Sequence, residues 1–504
     1  VELIFNFNLK LSNMKNTFKY ICLLGVFIGF TSCEKLLDVT PNSEFAPGNI
    51  LTSENGIKKL LFSAYAQQQT QVGSKLTIQT SEVCTDMALN SGGVENAALL
   101  PIMNFTWNSD LELFRVDVWA PNYRCIRDAN EVVENIDNVV SSEANKKLFK
   151  AEARVLRAHA YTILYNWFGG VPLRTSNGQP GDLARATDEE MRAFIETEIV
   201  ESVADLPDPG QQEAYGRLNK GSALGILAKF YLNTKQWQKA ADAAQTVIGF
   251  NYYSTTQHQF KDLFKVENEL NNREMLLVLP CKSEEGGIGN WWMAGAMPTG
   301  FRSTPQIPEF VYNSSMANFA TQYRLRTAFV NSMASNDKRR SLICTSYINA
   351  GGATINLNLS PDNARSFKYW DNGIVGNNGG SDVPLIRYAD ILLTRAEALN
   401  ELAAAIPPAE CFTLINQVRT RAGIPDLTLV TTPLKDDFRN AIFRERGWEF
   451  ISEGKRREDL IRQGTFLSSA IARGVPADLA TPDKLLFPIP QREVEANKLL
   501  QPNQ

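Results

Sequence analysis

The side chains best suited to gripping a small polar molecule fall in two stretches of this sequence. Trp291, Trp292 and Arg302 lie in a glycine-rich run, and Asp86, Asn90 and Trp107 lie among the Asn, Gly and Ser residues between Thr80 and Asp110. Flat aromatic faces stack on the C–H groups of a polyhydroxylated ring such as a sugar, while carboxylate, amide and guanidinium groups hydrogen-bond its hydroxyls. Long irregular stretches between regular elements are where binding residues collect. Trp291 and Trp292 keep a second reading, as core residues that pack the glycine-rich run. Trp119 and Trp167 fall on helices and are expected in the core.

Other chemistries find no motif. The two histidines are His159, on an alanine-rich helix face and expected to be a packed structural residue, and His258, alone in a loop. No HExxH pair is present, so metal-assisted hydrolysis has nothing to stand on, and no metal or cofactor is expected. Gly216 to Gly221 has phosphate-loop spacing, but Ser222 stands where the lysine belongs; GxSxG is absent as well. The run Lys455 to Asp459 alternates in sign and reads as a solvated, salt-bridged helix end. A glycoside hydrolase would need two facing carboxylates, and no pair stands out among 55 acidic residues. That enzyme and a protein-binding helical adaptor without a small ligand are the alternatives.

The elements that must position these residues are mostly helical. From Asp382 to Gly423, Leu385, Ala389, Leu392, Ala396, Leu399 and Ala403 make one apolar stripe at steps of four and three. Arg387, Asp390, Arg395, Glu397 and Glu401 are left to the other faces. Pro407 and Pro408 stop this helix, and Cys411, Ile415, Val418 and Ala422 mark a second, closed by Gly423. A hairpin with one apolar side needs neighbours of its kind. They are expected at Ser53 to Gln69, Trp119 to Val140, Lys146 to Phe168, Asp188 to Leu206, Asn219 to Tyr231, Trp237 to Ile248, Leu434 to Ser452 and Arg456 to Gln463. Residues 250–381 form a loop-rich insertion, with a short strand at Met275 to Leu279. The fold class is therefore all-α, with tetratricopeptide-like helical pairs and a few short strands.

Composition fits a globular chain with a large core: 504 residues, 44% hydrophobic and 21% charged. Lys15 and Lys19, the apolar run Ile21 to Phe30 and Thr31-Ser32-Cys33 read as a lipoprotein signal over residues 1–32. Cys33 would become the lipidated first residue, followed by a tether over 33–49 and a single domain over 50–504. Without 1–32 the balance is 48 basic against 54 acidic residues, or −6. No basic face is clustered, which argues against nucleic acid. Cys84, Cys125, Cys281, Cys344 and Cys411 show no CxxC spacing and are expected free and buried.

Six segments in order carry a resemblance. They are CEKLLD at Cys33, EARVLRAHAYTILYNWFGGVPL from Glu152, DVPLIRYADILLTRAEALNEL from Asp382, LINQVRTRAG from Leu414, RERGWEFISEGKRREDLIRQG from Arg444 and LLFPIPQREVEAN from Leu485. In these the chain resembles the SusD/RagB-like outer-membrane lipoproteins. The resemblance implies four tetratricopeptide-like pairs plus a divergent loop-rich part. It also implies a cell-surface, lipid-anchored protein that captures oligosaccharides or other nutrients for a SusC-like TonB-dependent transporter. The matching segments belong to the scaffold and do not reach the ligand.

Overall fold

A computed structural model describes residues 50–73, 76–284, 287–319 and 323–503. The signal over 1–32, Cys33 and the tether over 33–49 lie outside the described residues. The helices that build the scaffold are α1 (Glu54–Gly73), α2 (Leu76–Val83), α3 (Asn96–Asn104), α4 (Ala120–Asn135), α5 (Glu143–Phe168), α6 (Asp188–Val200), α7 (Lys220–Asn233), α8 (Trp237–Gly249), α9 (Trp292–Ala296), α10 (Tyr388–Leu402), α11 (Ala409–Ala422), α12 (Lys435–Glu449) and α13 (Arg456–Arg462). Pairing is between neighbours: α1 on α4, α4 on α5, α5 on α6, then α7 on α8, α8 on α10, and α10 on both α11 and α12. This is the expected all-α architecture of helical pairs.

Local chemistry sets the ends. Ser142 caps α5 by accepting the Asn145 N–H, and Thr187 with Glu190 makes a capping box on α6. Asn219 and Ser222 form another at α7, so the serine of the phosphate-loop-like spacing is a cap residue. A Cβ on Gly221 would lie 2.0 Å from the Tyr253 hydroxyl, so glycine there lets that ring approach the helix. Gly423 closes α11 at φ +71°, in the left-handed region that favours glycine.

The strands are short: β1 (Ala88–Asn90), β2 (Met275–Leu279), β3 (Phe301–Thr304), β4 (Ile307–Val311), β5 (Tyr323–Leu325), β6 (Ile343–Cys344), β7 (Ser346–Asn349), β8 (Thr354–Asn356), β9 (Arg365–Ser366) and β10 (Val383–Arg387). One antiparallel sheet runs β4-β3-β7-β8, and β1–β5, β2–β10 and β6–β9 are two-stranded ladders. The β2–β10 ladder, with Val383 opposite Leu279, ties the insertion to the start of α10.

Three expectations need correction. Residues 383–387, including Leu385 of the apolar stripe, are strand rather than helix; a short apolar run reads equally well as either, and Pro384 disfavours helix at its predecessor. Thr80 to Asp110 is not one irregular loop, because it carries the end of α2, then β1 and α3, elements too short to show a period. The run Lys455 to Asp459, read as solvated, is mostly buried, and so are several charges on the other faces of α10 and β10. Arg387 reaches Glu274, Glu449 and Glu453, Asp390 meets Arg446, and Glu397 meets Arg462. In the run Lys455 to Asp459, Lys455 donates to the Leu385 carbonyl (2.6 Å), Arg457 to that of Leu485 (2.6 Å), and Asp459 pairs with Arg446 and Arg462. Charge is tolerated inside because each group finds partners. The five cysteines are free and buried, as expected.

Candidate functional site

The two stretches that carry the candidate residues meet. β1 pairs antiparallel with β5, Ala88 opposite Leu325 and Asn90 opposite Tyr323, so the segment after α2 is stitched to the insertion. Beneath this seam Trp292 packs edge-on against Tyr323 (ring centroids 4.5 Å apart) and Tyr369 (5.8 Å), and its indole N–H donates to the Ser366 carbonyl at 3.0 Å. Tyr323 in turn donates its hydroxyl to Glu82, whose other oxygen accepts the Gly454 N–H at 2.9 Å.

Beside that post lies an open rim. Trp291 is half-buried and donates its indole N–H to Asn378 Oδ1 at 2.9 Å. Asn378 belongs to a tight turn with Val375, and Gly376 of that turn bonds Ser315 and Ala317. Tyr312, also half-buried, donates its hydroxyl to the Met316 carbonyl at 3.1 Å. The exposed Arg302 guanidinium lies 4.8 Å over the Tyr312 ring. One Arg302 N–H reaches the Phe301 carbonyl (3.3 Å), and the others have no protein partner among the described residues. Gly289 permits the arrangement: a Cβ there would sit 2.3 Å from Asn378 Cβ and 2.4 Å from its Cα. The rim thus offers an oriented indole, a phenol ring and a guanidinium with free donors, the groups that stack on a sugar ring and bond its hydroxyls.

Of the six candidates, then, Trp291 and Arg302 lie on the rim. The structure corrects the other four. Trp292 is the buried post just described, at 2% exposure. Trp107, also 2% exposed, packs on Phe105 (4.8 Å) and Phe487 (5.2 Å) and is core. Asp86 gives both oxygens to Arg456 (2.8 and 2.7 Å). Asn90 is buried, its amide N–H groups on the Gly92 carbonyl and Asn96 Oδ1. Sequence reasoning missed Tyr312 and Asn378, although the run Asn377 to Gly380 carries a turn signal that marks where an amide is displayed. Trp119 and Trp167 are buried, and His159 pairs with Gln68 at 2.8 Å, burial pushing its imidazole down to about 4 so that it is neutral.

The larger clefts lie elsewhere. One of about 460 Å³ is lined by Trp119, Tyr123, Arg174 and Asn497; Trp119 is 4% exposed, and the half-buried Tyr123 is the more accessible ring there. Another of about 440 Å³, between His258, Lys338 and Thr420, has no Trp, Tyr or Phe in its lining. Of the carboxyls with raised affinity for protons, Glu82 bonds the Tyr323 post and Glu493 lines the cleft of about 460 Å³, and neither is one of the rim residues named above. Burial, then the charge of Asp382, pushes Glu269 up to about 8, and burial pushes Asp382 up to about 6. Asp382 accepts from Tyr215 and the Cys281 N–H, Glu269 from the Asp382 N–H, and neither lines the clefts above.

Comparison with known proteins agrees with this architecture. Residues 312–504 match the model of the SusD family, and residues 35–232 match one described as starch-binding and associating with the outer membrane. The chain belongs to the SusD family. A SusD-like protein of Formosa agariphila is 26% identical over 95% of this chain and 97% of its own. Among solved structures, a laminarin-binding SusD-like protein superposes with a TM-score of 0.74 at 24% identity, over 90% of this chain and 99% of that one. Surface glycan-binding protein A of Bacteroides thetaiotaomicron, in complex with laminarihexaose, gives 0.71 at 19% identity, over 90% of this chain and all of that one. At such identity the SusD likeness carries the fold, not the ligand.

Proposed function

We propose that this SusD-like chain is a cell-surface glycan-binding protein that holds an oligosaccharide on the Trp291 rim without cleaving it. It would be held at the outer membrane by lipid on Cys33 and pass its ligand to a SusC-like TonB-dependent transporter. The observation that carries the reading is the Trp291 ring, partly exposed and fixed by its N–H to Asn378, in a turn whose Gly376 bonds the Ser315–Ala317 segment that follows Tyr312. A fixed aromatic plane loses little freedom when a sugar stacks on it. The descriptions of the related proteins, starch-binding in one family model and laminarin-binding in a solved structure, support the ligand class.

A glycan array probed with the mature chain tests the binding, and an assay for new reducing ends on each bound glycan tests the absence of cleavage. Retention without new ends is expected. New ends would favour the hydrolase, and no retained glycan would favour the adaptor. Co-purification of a large β-barrel partner from detergent-solubilised outer membranes tests the delivery step.

A further inference from the structure

Buried arginines in this protein usually meet carboxylates, as Arg339, Arg387, Arg446 and Arg462 do. Two beside the seam do not. Arg365 is 1% exposed, its Nη atoms reach only Asn363 and the Ala364 carbonyl, and its Nε has no partner. Arg324 is partly exposed; its guanidinium makes no hydrogen bond or ion pair with the described residues, and its Nε is buried and unpartnered.

Register places the two together. Leu325 bridges Ala364 in antiparallel sense, its N–H donating to the Ala364 carbonyl at 2.9 Å. One step back along β5 and one step on toward β9 sets Arg324 opposite Arg365, on the side of the ribbon where Leu89 is the partner of Arg324 from β1. Like charges directly opposite across strands repel, more strongly away from water. Burial, and then the Arg324 charge, push the Arg365 guanidinium down to about 9, in line with that placement. No carboxylate acts on either group among the described residues. The row thus has a standing deficit of negative charge at the seam.

We propose that Arg324 and Arg365 form an anion-receiving subsite that selects glycans bearing a carboxylate or a sulfate ester. It rests on the glycan-binding reading and narrows it from glycans in general to acidic ones. A guanidinium matches either anion with two parallel N–H bonds. Arg324, the accessible member, makes the contact; the enclosed Arg365 adds its field from behind. An anion there relieves the cross-strand repulsion, whereas a neutral glucan leaves it in place.

The test compares laminarin, alginate and iota-carrageenan as neutral, uronate and sulfate-ester probes, by affinity electrophoresis and titration calorimetry of the mature chain. At low salt at least one acidic polymer should bind about tenfold or more tighter than laminarin, with the preference shrinking as salt rises. Which acidic polymer wins tells carboxylate from sulfate ester. Arg324→Gln should remove the preference, Arg324→Lys should keep part of it, and the Arg324→Gln melting temperature should stay or rise because the repulsion is gone. Equal or tighter binding of laminarin by the wild type, or an undiminished acidic preference in Arg324→Gln, overturns the subsite. An acidic preference that survives Arg324→Gln, with binding of every probe lost in Trp291→Ala, would overturn it while leaving the rim standing. Binding of none of the three, nor of any arrayed glycan, overturns both.

Discussion

Arg387→Ala should be severely destabilising, because this one side chain holds three carboxylates from two distant parts of the chain. It is fully buried, with Nη1 2.8 Å from Glu449 Oε1, Nη2 2.7 Å from Glu453 Oε1 and 3.1 Å from the Glu449 carbonyl, and Nη1 again on Glu274 (2.5 Å). Glu274 leads into β2 of the insertion, while Glu449 and Glu453 lie at the end of α12 and beyond it, so the guanidinium joins the insertion to the helical scaffold. Truncating it leaves those carboxylates buried with less positive charge, a loss of about 3–5 kcal/mol when a buried pair is broken from one side. Unfolding entropy of about 2 cal/mol/K per residue over the unit Leu51–Gln504 makes 1 kcal/mol worth about 1 °C. Calorimetry should therefore show a drop of about 3–5 °C. Arg439→Ala is the control: its pair with Glu401 is 30% exposed on the arginine side and should cost under about 1 °C. Equal melting of Arg387→Ala and wild type would refute the buried network as a weld between insertion and scaffold.

Gly289→Ala forces a Cβ within 2.4 Å of Asn378 and should displace the turn that holds Trp291, weakening glycan binding by about tenfold in calorimetric titration with only a small change in melting. Burial holds the Glu82 carboxyl up at about 7 against an ordinary 4.5, so the folded state keeps a proton that the unfolded chain releases. Stability is then greatest below 4.5 and falls as pH rises through 7, by about 3 kcal/mol from this group; Glu82→Gln should flatten that part of a melting-temperature profile between pH 5 and 8. Cys33→Ser should move the protein out of the membrane fraction, and an unchanged immunoblot distribution would rule out the lipid anchor.

Much of the scaffold could be read from sequence because helices that bury one stripe advertise it. Ala396 and Ile415 recur at helical spacing, and Gly423 stops α11 where its conformation demands. Buried charge has no such signature: Asp390 and Glu397 look like solvent-facing residues until their arginines, Arg446 and Arg462, arrive from 56 and 65 residues away. The rim was half legible for the same reason. Glycine-rich sequence marked Trp291 and Arg302, but whether a tryptophan faces water depends on partners elsewhere. Trp292 is enclosed by Tyr323 and Tyr369, and Asp86 is claimed by Arg456, 370 residues on. The β1–β5 seam that brings the two stretches together is three residues long on each side, below the length at which alternation shows.

Titration of a glycan retained on the array into Trp291→Ala, with melting followed on the same sample, tests the rim most directly. Trp292 is left intact because removing a buried ring costs about 3–5 kcal/mol and would confuse folding with binding. The rim reading predicts loss of binding by about a hundredfold or more with melting within about 1 °C of wild type, since the Trp291 plane is the stacking face on which the other rim contacts depend. Wild-type affinity in Trp291→Ala would contradict it.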